Sequence, residues 1–280
     1  MTFTTAEKYA AFLITYLPRL SALAASRVGE PTGPRLRPLE VAHTFAANEP
    51  GVSLEFGVFK GASINFTAST FPDRRYYGFD SFEGFPDDGR PDWDQDFSVE
   101  GRLPQVPENV TLIKGFFSET LPPFLDGLSE EIRIVNIDCD IYSSTRDVFR
   151  CLTDRRLLKP GVVLAFDELI NYRAFLWNEM FALFEVLEQT SLGIQWLSVH
   201  QKVRLIEDVM DLVRGGQYPT WNEDLQSGFR QQASLVLTDG GLDLSILKLK
   251  YAQRRVKTVA LFLREACHAA HEDIQKKLRS

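Results

Sequence analysis

The sequence predicts an α/β fold: a doubly wound, mostly parallel sheet of seven strands with a reversed last strand. N-terminal helices precede this sheet and a helical C-terminal extension follows it. Three observations carry that expectation. Ser53-Leu-Glu-Phe-Gly-Val-Phe-Lys-Gly-Ala-Ser63 reads as a buried strand ending in an acid, then a glycine loop, then a helix start. Beyond it, apolar strand-length runs alternate with helix-period segments. Finally, two late strands at about 193–199 and 202–206 lie too close for a parallel crossover, which needs about a dozen residues. They are expected as an antiparallel hairpin, the reversed end of the sheet.

Along the chain, residues 4–26 set Phe12, Leu13, Tyr16, Leu17, Leu20 and Leu23 on one helix face, and Pro18 is expected to kink or split that helix. Gly29–Pro38 is a linker, and a short helix over about 39–47 leads into strand one. Residues 1–50 are expected to form a helical lid, with plain packing on the sheet edge as the alternative. Strand one spans about 52–57 and its helix about 61–70. Strand two, Arg75–Asp80, ends in an acid. Gly84 to Asn109 is long and irregular, with Asp87, Asp88, Asp92, Asp94 and Asp96 beside Trp93. Flanked by Phe85 and Phe97, it suits a substrate cover, or its charges form a solvated face.

Strand three, about 109–114, ends at Gly115-Phe-Phe117, and 118–128 reads as a short helix or turn. Strand four is Ile132–Asp138. Ser144-x-x-Asp147 reads as a capping box opening a helix to about Arg156. Strand five, Val162–Asp167, ends in Asp167-Glu168, and a helix follows over about 173–189. A domain of 51–207 is thus expected, with a helical extension over 208–280. That extension reads as helices at 205–213 and 224–237, then one long helix at about 242–278. Leu249, Ala252, Val256, Val259, Leu263, Ala266 and Ala270 on the last suit a coiled-coil seam holding a homo-oligomer, or a helix lying on its own domain.

Composition narrows the partners. The 280 residues carry a net charge of −7, against general nucleic-acid binding, where phosphates demand clustered Lys and Arg. No apolar run reaches membrane-spanning length, and the N-terminus lacks the pattern of a signal peptide. Cys139, Cys151 and Cys267 are odd in number and show no metal spacing, as expected of reduced thiols in a cytoplasmic protein.

The chemistry gathers at the strand ends. A dinucleotide dehydrogenase shows G-x-G-x-x-G and a second βαβαβ half; here Phe59 and Lys60 fill the loop and no second half follows. Glu55-x-Gly57-x-x-x-Gly61 instead resembles the first motif of class I S-adenosylmethionine methyltransferases, in which the acid lies near the methionine end of the cofactor. On that likeness Glu55, Gly57, Phe59, Gly61 and Ser63 are the expected cofactor loop. Asp80 would accept hydrogen bonds from the ribose hydroxyls, with Ser81 beside the adenine and Gly115 at the cofactor edge. Asp138 and Asp167 end neighbouring strands, about 4.8 Å apart between backbones, with Asp140 and Glu168 close by. Carboxylates so crowded stay ionised only beside a cation, and oxygen-only ligands suit Mg²⁺ or Mn²⁺. The alternative is metal-free acids that hydrogen-bond helix N-termini. Asp140 stands two residues from Asp138, so one can serve as ligand and the other as base.

Val52–Ser63, Tyr77–Pro86, Asp138-Cys-Asp-Ile-Tyr-Ser-Ser-Thr145 and Pro160–Asn171 together resemble the macrocin O-methyltransferase family, over about Pro38 to Ile206. The resemblance implies an S-adenosylmethionine- and Mg²⁺-dependent methylation of a hydroxyl on a sugar or natural product. It implies Asp138 and Asp167 as metal ligands and Asp140 as general base. The family usually has Asp where this chain has Glu168, the expected third ligand. Alternatives are a phenol- or catechol-type O-methyltransferase, or a non-catalytic protein of the same fold working through its tail. His200 reads as a surface or packing residue, and Glu179 is assigned no chemistry. Tyr142 and Tyr172 suit an acceptor pocket or simple packing.

Overall fold

A computed structural model describes residues 2–26, 37–86, 97–172, 174–215, 231–267 and 272–280. Seven strands form one sheet in the order β3-β2-β1-β4-β5-β7-β6. They are β1 (Val52–Phe56), β2 (Tyr76–Asp80), β3 (Val110–Lys114), β4 (Ile132–Ile137), β5 (Val163–Phe166), β6 (Leu192–Val199) and β7 (Ala233–Asp239). β1 through β5 run parallel, and β7 runs antiparallel between β5 and β6. This is the class I methyltransferase arrangement. Helices α1 (Thr5–Ser26), α2 (Pro38–Phe45), α3 (Ala62–Thr70), α4 (Phe117–Gly127), α5 (Tyr142–Asp154), α6 (Glu179–Gln189) and α7 (Ile206–Arg214) cover the sheet. Every residue of β1 and β5 is buried; β5 is accordingly apolar throughout, whereas β1 also buries Ser53 and Glu55.

α1 is not split by Pro18. Pro18 itself lies on the exposed side of the continuous helix. The opposite face packs Tyr9 against Phe181 and Phe184, each 4.9 Å between ring centroids.

The reversed strand is not where the spacing placed it. Residues 202–205 join no ladder; the Asn171 side chain satisfies them instead, Nδ2 donating to Lys202 O (3.0 Å) and Oδ1 accepting from Arg204 N (2.8 Å). β7 comes from Ala233–Asp239, inside the stretch expected as a helix over 224–237. Ala-Ser-Leu-Val-Leu is buried throughout, and an apolar run without period cannot by itself tell a core strand from a buried helix. The expected extension from 208 therefore contributes a strand to the sheet. Residues 224–230 lie outside the described residues.

Other boundaries also move. α5 begins at Tyr142 with Ile141 at its N-cap, so Ser144 sits within its first turn and is no cap. The helix expected at 173–189 is a 3₁₀ turn (Phe175–Trp177) and α6, broken at Asn178, whose ψ of −125° is not helical. The single long C-terminal helix is a 3₁₀ turn (Ser245–Lys248), α8 (Gln253–Ala266) and α9 (Glu272–Arg279). Val256, Val259 and Leu263 are buried, and α8 packs on α1, so the seam is used within the chain. Leu249 is 40% exposed and Ala270 lies outside the described residues. No described helix is long and apolar enough to cross a membrane.

Candidate active site

A cavity of about 650 Å³ opens at the carboxyl ends of β1, β2, β4 and β5. Gly57, Phe59, Ser63, Asp80 and Ser81 line one side; Asp138, Asp140, Asp167 and Glu168 line the other. Residues scattered over more than a hundred positions thus share one chamber, because parallel strands all end at the same sheet edge.

The β1–β2 side is tightly hydrogen-bonded. Gly57 has φ +95°, and a Cβ there would fall 1.8 Å from Asp138 O, so only glycine fits. Asp80 Oδ2 accepts from the amides of Val58 (2.8 Å) and Phe59 (2.7 Å), and Oδ1 accepts from Phe82 N (2.6 Å). Those bonds hold Phe59 in the left-handed region, at φ 49°. Glu55 is expected on the cofactor, but it lies buried beneath the loop and off the cavity wall. It accepts hydrogen bonds from Ser63 Oγ (2.7 Å) and Asn136 Nδ2 (3.1 Å). Burial pushes its carboxyl up to about 7, partly offset by those two bonds. Gly61, the N-cap of α3, and Gly115, whose N–H donates to Asp80 O (2.9 Å), also stand behind the wall. Phe116, Phe117 and Ser118 line it in place of Gly115.

The β4–β5 side is crowded with acids. Asp138 N donates to Phe56 O (2.8 Å) and Asp167 N to Ile137 O (3.0 Å), setting the two carboxylates on adjacent strand ends. Burial raises Asp138 well above the usual carboxylate range, with Asp167 and Asp140 adding repulsion. Glu168 is raised likewise, by burial and then by Asp140 and Asp167. Asp167 is raised by burial and held back by a hydrogen bond from Gln232 Nε2. Asp140 itself is left-handed, at φ 60°. Asn178 Nδ2 donates to its carbonyl (2.6 Å), and Cys139 N donates to Glu179 Oε1 (3.4 Å), so the start of α6 clamps this turn.

The donor set has the chemistry of a hard-cation site: carboxylate oxygens only, with Glu168 Oε2 buried and without a partner among the described residues. Among the described residues, however, no three His, Cys, Asp or Glu side chains stand grouped as a ready metal site.

Several cavity residues escape the sequence reading. Gln232 carried no signal, lying in a run expected to be helical. His200, set aside above, is on the wall, as is Arg37; Phe85 and Phe97, expected to flank a substrate cover, line it too. Glu179 is fully buried among the acids, which raise its carboxyl after burial does. Tyr142 is off the wall and donates to Glu185 Oε2 (2.6 Å), and Tyr172 is also off it; both are packing residues. Asp87 to Asp96, with Trp93, lie outside the described residues.

Residues 54–169 match the family model described as a methyltransferase domain. The chain carries a methyltransferase domain over that stretch. The matched stretch runs from β1 to Leu169, just past Glu168, and so spans the glycine loop and all five acids of the cavity wall. No curated protein matches the chain. Among solved structures, CalS11, a calicheamicin methyltransferase, is 27% identical with a TM-score of 0.47, over 56% of this chain and 72% of that one. The O-methyltransferase NovP is 19% identical with a TM-score of 0.43, over 68% and 95%. A Bacillus cereus O-methyltransferase in complex with SAH is 11% identical with a TM-score of 0.44, over 84% and 98%.

Proposed function

We propose that this methyltransferase moves a methyl group from S-adenosylmethionine to a hydroxyl of a sugar or natural-product acceptor, assisted by a divalent cation. One observation carries the reading: the carboxylates of Asp138, Asp140, Asp167 and Glu168 line the same cavity as the Gly57 loop and Asp80. The loop side suits a nucleoside, and the acid side suits an alcohol that must lose its proton.

When bound, S-adenosylmethionine supplies a methyl carbon on a sulfonium; a bound Mg²⁺ would lower the pKa of the hydroxyl. Asp138, Asp167 and Glu168 are the residues that would hold the cation. Phe59, Ser63, Asp80 and Ser81 form the donor wall, over Gly57. Asp140, clamped by Asn178, accepts the hydroxyl proton as general base. The alcohol oxygen forms the new C–O bond, the C–S bond breaks, and the sulfonium leaves as a neutral thioether.

A second reading is favoured by the aromatic wall. Phe59, Phe85 and Phe97 meet edge to face (5.5 and 5.4 Å) and, with Phe116 and Phe117, suit a phenolic ring. Phenyl α-rhamnoside, phenyl β-glucoside and catechol, each incubated with S-adenosylmethionine and Mg²⁺, decide between them by product mass. A methylated sugar supports the first reading and methylated catechol alone the second. Calorimetric binding of NAD in place of S-adenosylmethionine would sink both.

A further inference from the structure

We propose that Gln232 determines acceptor specificity: its side chain presents a fixed hydrogen-bond acceptor to a second hydroxyl of the substrate. The inference rests on the O-methyl-transfer reading above and names the acceptor class as one bearing at least two hydroxyls.

Gln232 reaches the site because β7 runs backwards. β5 and β7 pair Phe166 with Ala233, so Asp167 and Gln232 stand abreast one step beyond the ladder. β6 pairs Val199 with Ala233, and His200 N donates to Gln232 O (3.0 Å). Asp167, Gln232 and His200 thus form a row across the sheet edge, and all three line the cavity.

The Gln232 side chain is 9% exposed, and its two ends differ. Nε2 donates to Asp167 Oδ1, whereas Oε1 is buried with no partner among the described residues. The amide cannot turn over, since that would set Oε1 against a carboxylate oxygen, acceptor against acceptor. Oε1 is therefore locked as an acceptor that lacks a donor among the described residues, on a residue that lines the cavity. A buried carbonyl oxygen left unpaired is costly, which makes a ligand O–H its natural complement. The reacting hydroxyl must give its proton to Asp140, so the hydroxyl bound by Gln232 is a different one. A sugar ring or a catechol supplies such a pair.

The test compares wild type with Gln232→Met on the panel compound that wild type methylates, and on monodeoxy analogues of that compound. With one hydrogen bond lost, KM for the full acceptor should rise about 3- to 10-fold, while SAH affinity stays within about twofold, as expected of a wall that does not touch the donor. For the analogue lacking the second hydroxyl, wild type and variant should have equal KM, as bonded partners removed together show no further loss. Gln232→Asn, which withdraws the amide by one methylene, serves the same test should the Met variant not fold. An unchanged KM overturns the inference, as does the same penalty on every analogue. So does equal turnover of phenol and catechol by an enzyme that takes catechol. Wild type that binds SAH but methylates no panel compound sinks the transfer reading itself, and this inference with it.

Discussion

On the β1–β2 side of the cavity, one carboxylate, Asp80, is surrounded by three backbone amides that satisfy it. On the β4–β5 side, Asp138, Asp140, Asp167 and Glu168 line the cavity together, and Glu168 Oε2 has no partner among the described residues. The first wall satisfies its carboxylate with backbone amides, whereas the second gathers carboxylates that repel one another. Substitutions should therefore act in opposite senses: removing the amide-bonded Asp80 carboxylate loosens the fold, whereas neutralising a crowded acid of the second side relieves repulsion while removing chemistry.

The largest contrast is expected at Asp140. Asp140→Asn should lower methyl transfer by about 10²- to 10⁴-fold, the usual worth of a general base, with SAH affinity retained. Full activity in product-mass assays would remove Asp140 from that role.

Glu55, beneath the first wall, sharpens the comparison through pH. Its carboxyl titrates at about 7 in the folded chain against an ordinary 4.5. Between those values the native state holds the proton and the unfolded chain does not, so stability from this group falls as pH rises through the window. Glu55→Gln should gain on wild type from pH 5 to 8, by on the order of 3 kcal/mol at the upper end. Parallel urea-unfolding curves at both pH values would refute it.

Asp80→Ala strands three amides and should cost about 2 kcal/mol of stability, with SAH affinity falling about tenfold as the loop loosens. Calorimetry that found SAH binding unchanged would show that the loop holds its shape without this carboxylate.

The smallest effect, opposite in sign to that at Asp80, is at Asp138. Asp138→Asn removes a buried charge from among like charges, and should stabilise the metal-free protein by about 1 kcal/mol, or about 2–4 °C in Tm. Because the native state favours the protonated form, the gain should grow with pH. Transfer should fall at the same time, and EDTA, which should silence wild type until Mg²⁺ is restored, should have little left to remove. A variant that melted lower at pH 8 would contradict the crowding described here.

How much of this was legible in the chain follows the range of the interactions. Strand, glycine loop and helix succeed one another within about a dozen residues at Ser53–Ser63. The acids at Asp80, Asp138 and Asp167 each directly end or follow an apolar run. Side-chain period and Gly φ preferences are local, so sequence alone determined the β-α alternation, the edge on which the site lies and most of its acids. It could not separate Glu55, held under the floor by Asn136 from another strand, from the acids that reach the cavity. Nor could it locate the reversed strand. Ala233–Leu237 has no period, and only insertion between β5 and β6 makes it a strand. That pairing, made across about seventy residues of chain on one side and thirty on the other, also brought Gln232 beside Asp167. Burial on both faces of a sheet, and a register set by distant partners, belong to the tertiary structure, because no single segment contains them.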